Sequence, residues 1–233
     1  MNTCDYRHGL KRGFPIFLGY LPVSFTFGFM AVSGGIPVWT AVIMSMTNLT
    51  SAGQFAGTNL ILANAGYVEI ALTTLIINLR YSLMSLALSQ KINARIPTWK
   101  RLIVSFGITD ETFVMASMEP GKLSAGYFIG LVTLPFIGWS LGTFLGGSVS
   151  GLMPPALQSA MGIGLYAMFI ALILPASREK REVGVVVIIA VIFACIFTYV
   201  PLLNRISSGF RIIIATVLAA GAGAFLFPDF KEV

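Results

Sequence analysis

An all-α polytopic membrane protein is the fold class that this sequence predicts, and three observations carry it. Only 10% of the residues are charged, where soluble domains average about 25%. Hydrophobic residues make up 56% of the chain, and mean hydropathy is +0.86. Apolar runs recur from Phe14 to the C-terminus, several near the ~20 residues that carry a helix across a bilayer. Lipid cannot satisfy an open backbone, so these runs read as helices. The longest polar stretch is Gln90–Arg101, so residues 1–233 read as one transmembrane domain.

Eight apolar segments are expected, at about 14–34, 38–63, 67–89, 102–118, 124–148, 159–176, 183–203 and 207–227. The first carries Pro15, Gly19, Pro22 and Gly28, which membrane helices tolerate because neighbours re-satisfy the freed backbone. Arg7, Lys11 and Arg12 before it, with Ala31-Val32-Ser33 at its end, mimic a signal peptide and its cleavage site. The run is long for that role, and it is expected to remain as an uncleaved first helix. The second segment is interrupted by the polar, glycine-bearing stretch Asn48–Gly57. The third holds Asn78, Arg80 and Tyr81 at mid-length, and the fourth holds Asp110 and Glu111. The fifth follows Lys122. The sixth opens after Met153-Pro154-Pro155 and contains Gly162 and Gly164.

Basic residues cluster in the N-terminal tail, in 90–101 (Lys91, Arg95, Lys100, Arg101) and in 178–182 (Arg178, Lys180, Arg181). The positive-inside rule places such clusters in the cytoplasm. All three fall there, with the N-terminus, if the second and sixth segments are broken or re-entrant. Lys122, Arg205 and Arg211 then lie at the outer side. Leu21-Pro22, Gly34 and Glu69 align with Leu134-Pro135, Gly147 and Glu182 at a constant offset. The resulting expectation is two inverted repeats, 14–118 and 124–228, a common transporter plan.

The formal net charge of +6 is accounted for by these short loops, so a lipid bilayer and not nucleic acid is the expected surroundings. Cys4, Cys195 and the single His8 give no metal or redox spacing, and no cofactor is expected. His8 is outside the apolar segments, so an intramembrane Ser–His pair has no base. Among Asp5, Asp110 and Asp229 only Asp110 is at depth, so a paired-aspartate site is not expected either.

Charges at membrane depth cost at least ~2.5–3.5 kcal/mol each, so they mark where to look for function. A helix opening after the break in the second segment would present free N–H groups and a positive dipole end to a carboxylate. Thr50, Ser51, Gly53 and Gln54 are the candidates. Gly53 and Gly57 also have the spacing of a helix-packing motif, which does not account for Gln54 or Asn48. Arg80 could clamp a substrate carboxylate or lock to an acid on the fourth segment, with Asn78 orienting it. Adjacent helical residues point about 100° apart, so one of Asp110 and Glu111 can face Arg80 while the other faces a cavity. The latter could carry a proton or bind an amine, or both acids could simply be paired. Glu69, near a segment end, is expected to be exposed at the interface. Met44, Phe55, Phe113 and Met168 are candidate walls for an aliphatic side chain.

At these residues the chain resembles the AzlC family, the large subunit of branched-chain amino acid exporters. The resemblance rests on Gly19-Tyr20-Leu21-Pro22 and Gly28, on Met44-Ser45 followed by Ala52-Gly53-Gln54-Phe55, and on Asn78-Leu79-Arg80-Tyr81 with Leu83-Met84-Ser85. It extends to Asp110-Glu111-x-Phe113 and Ala167-Met168-Phe169. It implies a bacterial plasma-membrane exporter of leucine, isoleucine, valine and methionine or analogues, driven by the proton gradient. It also implies a small, separately encoded membrane subunit of the AzlD type. The alternatives are an exporter of another small zwitterion, a passive channel, or an assembly subunit.

Overall fold

The computed structural model describes residues 3–93, 96–152, 170, 173–174, 177–178, 180–201 and 203–228. Among these residues there are nine α-helices and no strand. They are α1 (Thr3–Ser33), α2 (Val38–Thr47), α3 (Ser51–Leu62), α4 (Tyr67–Lys91), α5 (Thr98–Phe106), α6 (Asp110–Met118), α7 (Ala125–Val149), α8 (Arg181–Tyr199) and α9 (Ser208–Leu226). Short 3-10 turns occur at Ser150–Leu152 and Leu203–Arg205. Five helices, α1, α4, α7, α8 and α9, are long and apolar enough to cross a membrane. The sixth expected segment, with Gly162, Gly164 and Met168, lies outside the described residues.

The chain divides into two compact units. One comprises Met1–Phe55 and Ile77–Gly162, the other Ala56–Ile76 and Ile163–Val233. The first is organised around a seam between α1 and α7. Gly9 faces Tyr127 and Leu131, Gly13 faces Leu131, Phe17 faces Gly138, Leu21 faces Gly142, and Phe25 faces Gly146. The numbers rise together, so the two helices run parallel. Small residues let backbones approach in a medium that offers no hydrophobic drive between helices. A methyl group on Gly28 or Gly146 would overlap the carbonyl of Thr143 or of Phe25. The inverted orientation expected for the two halves is not found here, because inverted halves would set their first helices antiparallel.

Two apolar segments are broken in mid-course. The expected break in the second falls at Asn48–Thr50, between α2 and α3. The other, between α5 and α6 at Gly107–Thr109, corrects the reading of 102–118 as one crossing helix. Each of these helices has nine residues, about 13.5 Å at 1.5 Å per residue, under half of a ~30 Å hydrocarbon core. Their outer ends meet. Leu123 N donates to Lys91 O at 2.9 Å, and Asn93 N donates to Leu123 O at 3.1 Å. The stretch 98–118 therefore enters and leaves the first unit at the same end.

That end also collects the N-terminal segment. Ser124 Oγ donates to Asp5 Oδ2 at 2.8 Å, and His8 Nε2 lies 2.8 Å from Glu119 Oε1. Lys122 Nζ donates to Gln90 O at 2.7 Å. Lys122 thus lies with the 90–101 segment, and its expected place at the opposite side is corrected.

In the second unit, small residues Ala219 and Gly223 of α9 are buried, and Val186 of α8 packs on Gly223. Glu69, expected to be exposed, is 8% exposed. Its Oε1 accepts the Gly209 amide at 2.8 Å, in the first turn of α9, where a carboxylate offsets unpaired N–H groups and the helix dipole.

Candidate functional site

Both breaks in the first unit are built by threonine. At the first, Asn48 turns extended (φ −146, ψ 107) and ends α2. Thr50 Oγ1 accepts the Gly53 amide at 3.1 Å and donates to Asn78 Oδ1 at 2.7 Å. It therefore caps α3 and ties it to the middle of α4. Gly53 permits that contact, since a Cβ there would lie 2.8 Å from both polar atoms of Asn78.

At the second break, Thr109 is extended and forms a reciprocal cap with Thr112. Thr109 Oγ1 accepts the Thr112 amide at 3.3 Å, and Thr112 Oγ1 accepts the Thr109 amide at 2.8 Å. Asp110 and Glu111 thus occupy the first turn of α6, where the dipole favours negative charge.

The two acids part company. Asp110 Oδ2 pairs with Arg80 Nη1 at 3.0 Å. Glu111 takes no part in the ion pairs found among the described residues. Its Oε2 lies 2.6 Å from the Tyr20 hydroxyl, which is also 2.6 Å from Thr109 Oγ1. Arg80 Nη2 donates to Tyr81 Oη at 3.2 Å, and the guanidinium carbon sits 5.0 Å over the Tyr81 ring. Arg80 Nε is enclosed and has no hydrogen-bond partner among the described residues.

Gln54 is committed differently. It is 2% exposed. Its Nε2 donates to Ser45 Oγ at 2.7 Å, and its Oε1 accepts from Trp139 Nε1 at 2.9 Å. Ser45 continues to Thr143 at 2.7 Å, so α2, α3 and α7 share one polar string. Phe55 is buried edge-on against Phe27. Phe113 is half-buried against the core. Met44 and Ser51 are half-buried. Met168 lies outside the described residues.

Two members of this constellation were not anticipated as functional. Tyr20 and Trp139 each place their one polar atom on the site, and their rings meet edge-on at 5.2 Å. An aromatic with a polar tip in mid-helix is the signal that could have pointed to them.

A family model described as AzlC protein matches residues 15–153. The chain belongs to the AzlC family. The AzlC match covers both breaks and all the site residues named here except Met168. The inner membrane protein YgaZ of Escherichia coli (strain K12) is 30% identical over 190 residues, covering 78% of each chain. An uncharacterized membrane protein of Archaeoglobus fulgidus is 30% identical over 178 residues, 76% of this chain and 78% of its own. The branched-chain amino acid transport protein AzlC of Bacillus subtilis (strain 168) is 23% identical over 180 residues, 76% of this chain and 70% of its own. No solved structure matches. Membership of the AzlC family, together with the name of the Bacillus subtilis relative, supports a membrane-transport role.

Proposed function

We propose that this AzlC protein is a secondary transporter that exports branched-chain amino acids in exchange for protons. The observation that carries the reading is Arg80. One edge of its guanidinium is neutralised by Asp110, and its Nε–H is enclosed without an acceptor among the described residues. A fixed N–H fork suits a carboxylate. A zwitterion brings both charges, so it can replace the ion pair with no change in net charge. Its carboxylate goes to Arg80, beside the capped start of α3 at Thr50, Ser51 and Gly53. Its ammonium goes to Asp110. Met44, Phe55 and Phe113 supply apolar wall in the first unit. Glu111, held by a phenol and, among the described residues, by no cation, is the group that takes the coupling proton. Gln54 holds the wall in place through Trp139.

The basic end shared by His8, Arg12, Lys91 and Lys122 is the cytoplasmic end, by the positive-inside rule, in a bacterial plasma membrane. An AzlD-type subunit is the expected partner. The name of the Bacillus subtilis relative supports the substrate class.

The test is flux of labelled leucine in proteoliposomes holding the protein with an AzlD-type subunit. Leucine should move against its gradient when protons flow the other way, and Arg80→Ala should lower the rate more than tenfold. Leucine flux that ignores the proton gradient would sink the coupling. Absence of leucine flux alongside flux of another zwitterion would sink the substrate.

A further inference from the structure

The Tyr20 hydroxyl stands 2.6 Å from Glu111 Oε2 and 2.6 Å from Thr109 Oγ1. A phenol has one proton and can donate to only one of them at a time. Thr109 is the cap of α6, and it sits on the Gly107–Thr109 break. The three oxygens therefore form a relay whose direction depends on whether Glu111 carries a proton.

We propose that Tyr20 is a positioning residue that transmits the protonation of Glu111 to the α6 cap. The inference rests on the reading of Glu111 as the proton-binding group. With Glu111 ionised, the phenol donates to Oε2, because a charged acceptor makes the stronger bond. Thr109 Oγ1 then keeps the Thr112 amide and turns its own proton toward Tyr20. When Glu111 takes a proton from water, its carboxyl O–H donates to the phenol oxygen. The phenol proton swings to Thr109 Oγ1, and the Thr109 hydroxyl proton turns away toward Thr112 Oγ1, 3.2 Å distant. That oxygen already accepts the Thr109 amide and donates to Gly107 O at 2.8 Å. One proton gained at Glu111 thus reverses each bond in the chain and loads the cap that holds the break.

Among the described residues, the charged and titratable groups facing this triad are Asp110 beside it on α6, and Arg80 and Tyr81 on α4. From α7 the neighbour is the neutral Trp139, packed edge-on against the Tyr20 ring. Arg80 is already spoken for by Asp110, which leaves Tyr20 as the donor that Glu111 uses. Tyr20→Phe would keep the ring contact and remove only the switchable hydroxyl.

Hydrogen exchange read by mass spectrometry on the peptide spanning 107–113, at about pH 3.5 and about pH 8, on either side of the ordinary glutamate range, and corrected for chemical exchange, tests the link without substrate. The parent should differ at least threefold in exchange rate between the two pH values. Tyr20→Phe and Glu111→Gln should abolish the difference. Thr109→Ser should retain it and Thr109→Val should lose it, which decides the matter even if the tyrosine variant folds poorly. A parent with no pH response, or a Tyr20→Phe protein with the parent's response, overturns the proposal. Leucine flux is measured separately. If it is absent while the pH-dependent protection follows the pattern above, the export reading fails and the Tyr20 link stands.

Discussion

Trp139 Nε1 donates a 2.9 Å hydrogen bond to Gln54 Oε1, with both side chains almost wholly enclosed. The bond joins the start of α3 to the middle of α7, and the other end of the same amide holds Ser45. Gln54→Leu strands Trp139 Nε1 and loosens Ser45 at once. A buried group left unpaired costs about 1–3 kcal/mol. Thermal unfolding in detergent should therefore show a clear drop for Gln54→Leu, and a smaller drop for Trp139→Phe, which leaves the amide able to reorient.

Arg80 and Asp110 offer a double-mutant cycle. Each single change leaves the partner's charge without its counterpart at depth. Arg80→Ala and Asp110→Ala should both destabilise, and the double variant should be less destabilised than their sum, with a coupling energy of about 1 kcal/mol. Flux should behave otherwise. All three variants should be inactive in leucine transport, because the zwitterion needs both charges.

Much of this arrangement was legible in the sequence, for identifiable reasons. Hydropathy alone separates α1, α4, α7 and α9 from their loops. The first break announces itself through Asn48, Thr50, Ser51 and Gly53. The second break is quieter, because Gly107-Ile108-Thr109 hides in an apolar run. Its available signal was Thr109-x-x-Thr112 with Asp110 and Glu111 between, which is how a helix starts and not how one continues. Pairings such as Tyr20 with Glu111, 91 residues apart, depend on how α1 and α6 pack, and no local pattern encodes that.

The α1–α7 seam distinguishes glycines that are needed from those that are not. Gly28→Ala would drive a methyl into the Thr143 carbonyl, and overpacking of that kind costs about 3 kcal/mol. Gly19→Ala meets nothing within 4 Å among the described residues and should gain about 0.5–1 kcal/mol from helix propensity. Melting temperatures of the two variants should move in opposite directions.

Glu119 gives the basic end a pH dependence of known sign. Burial alone would raise its carboxyl. The hydrogen bond and charge of His8, the Tyr127 hydroxyl and the Arg12 charge outweigh that and hold it below the usual carboxylate range. A group lowered in the folded state stabilises above its unfolded value and loses that stabilisation as pH falls through its folded value. Melting temperature should thus fall as pH drops below the usual carboxylate range. Glu119→Gln should flatten that part of the curve.

Glu69 and Gly209 predict a local effect in the second unit. Glu69→Ala uncovers the Gly209 amide in the first turn of α9, at a cost of about 1 kcal/mol. A Cβ at Gly209 would lie 2.6 Å from both Glu69 Oε1 and Thr73 Oγ1, so Gly209→Ala should cost more than Glu69→Ala in the same melt.

The parallel seam has a consequence for biosynthesis. Ser24 of α1 bonds the Gly138 carbonyl of α7, 114 residues further along the chain. The ribosome must deliver both breaks and all of α4 before the glycine face of α1 has anything to lie against. Until then that face is open to lipid or to a chaperone, and the short α5–α6 pair has no wall. Insertion of this protein is therefore a two-stage affair, in which α1 enters the bilayer well before it settles against α7.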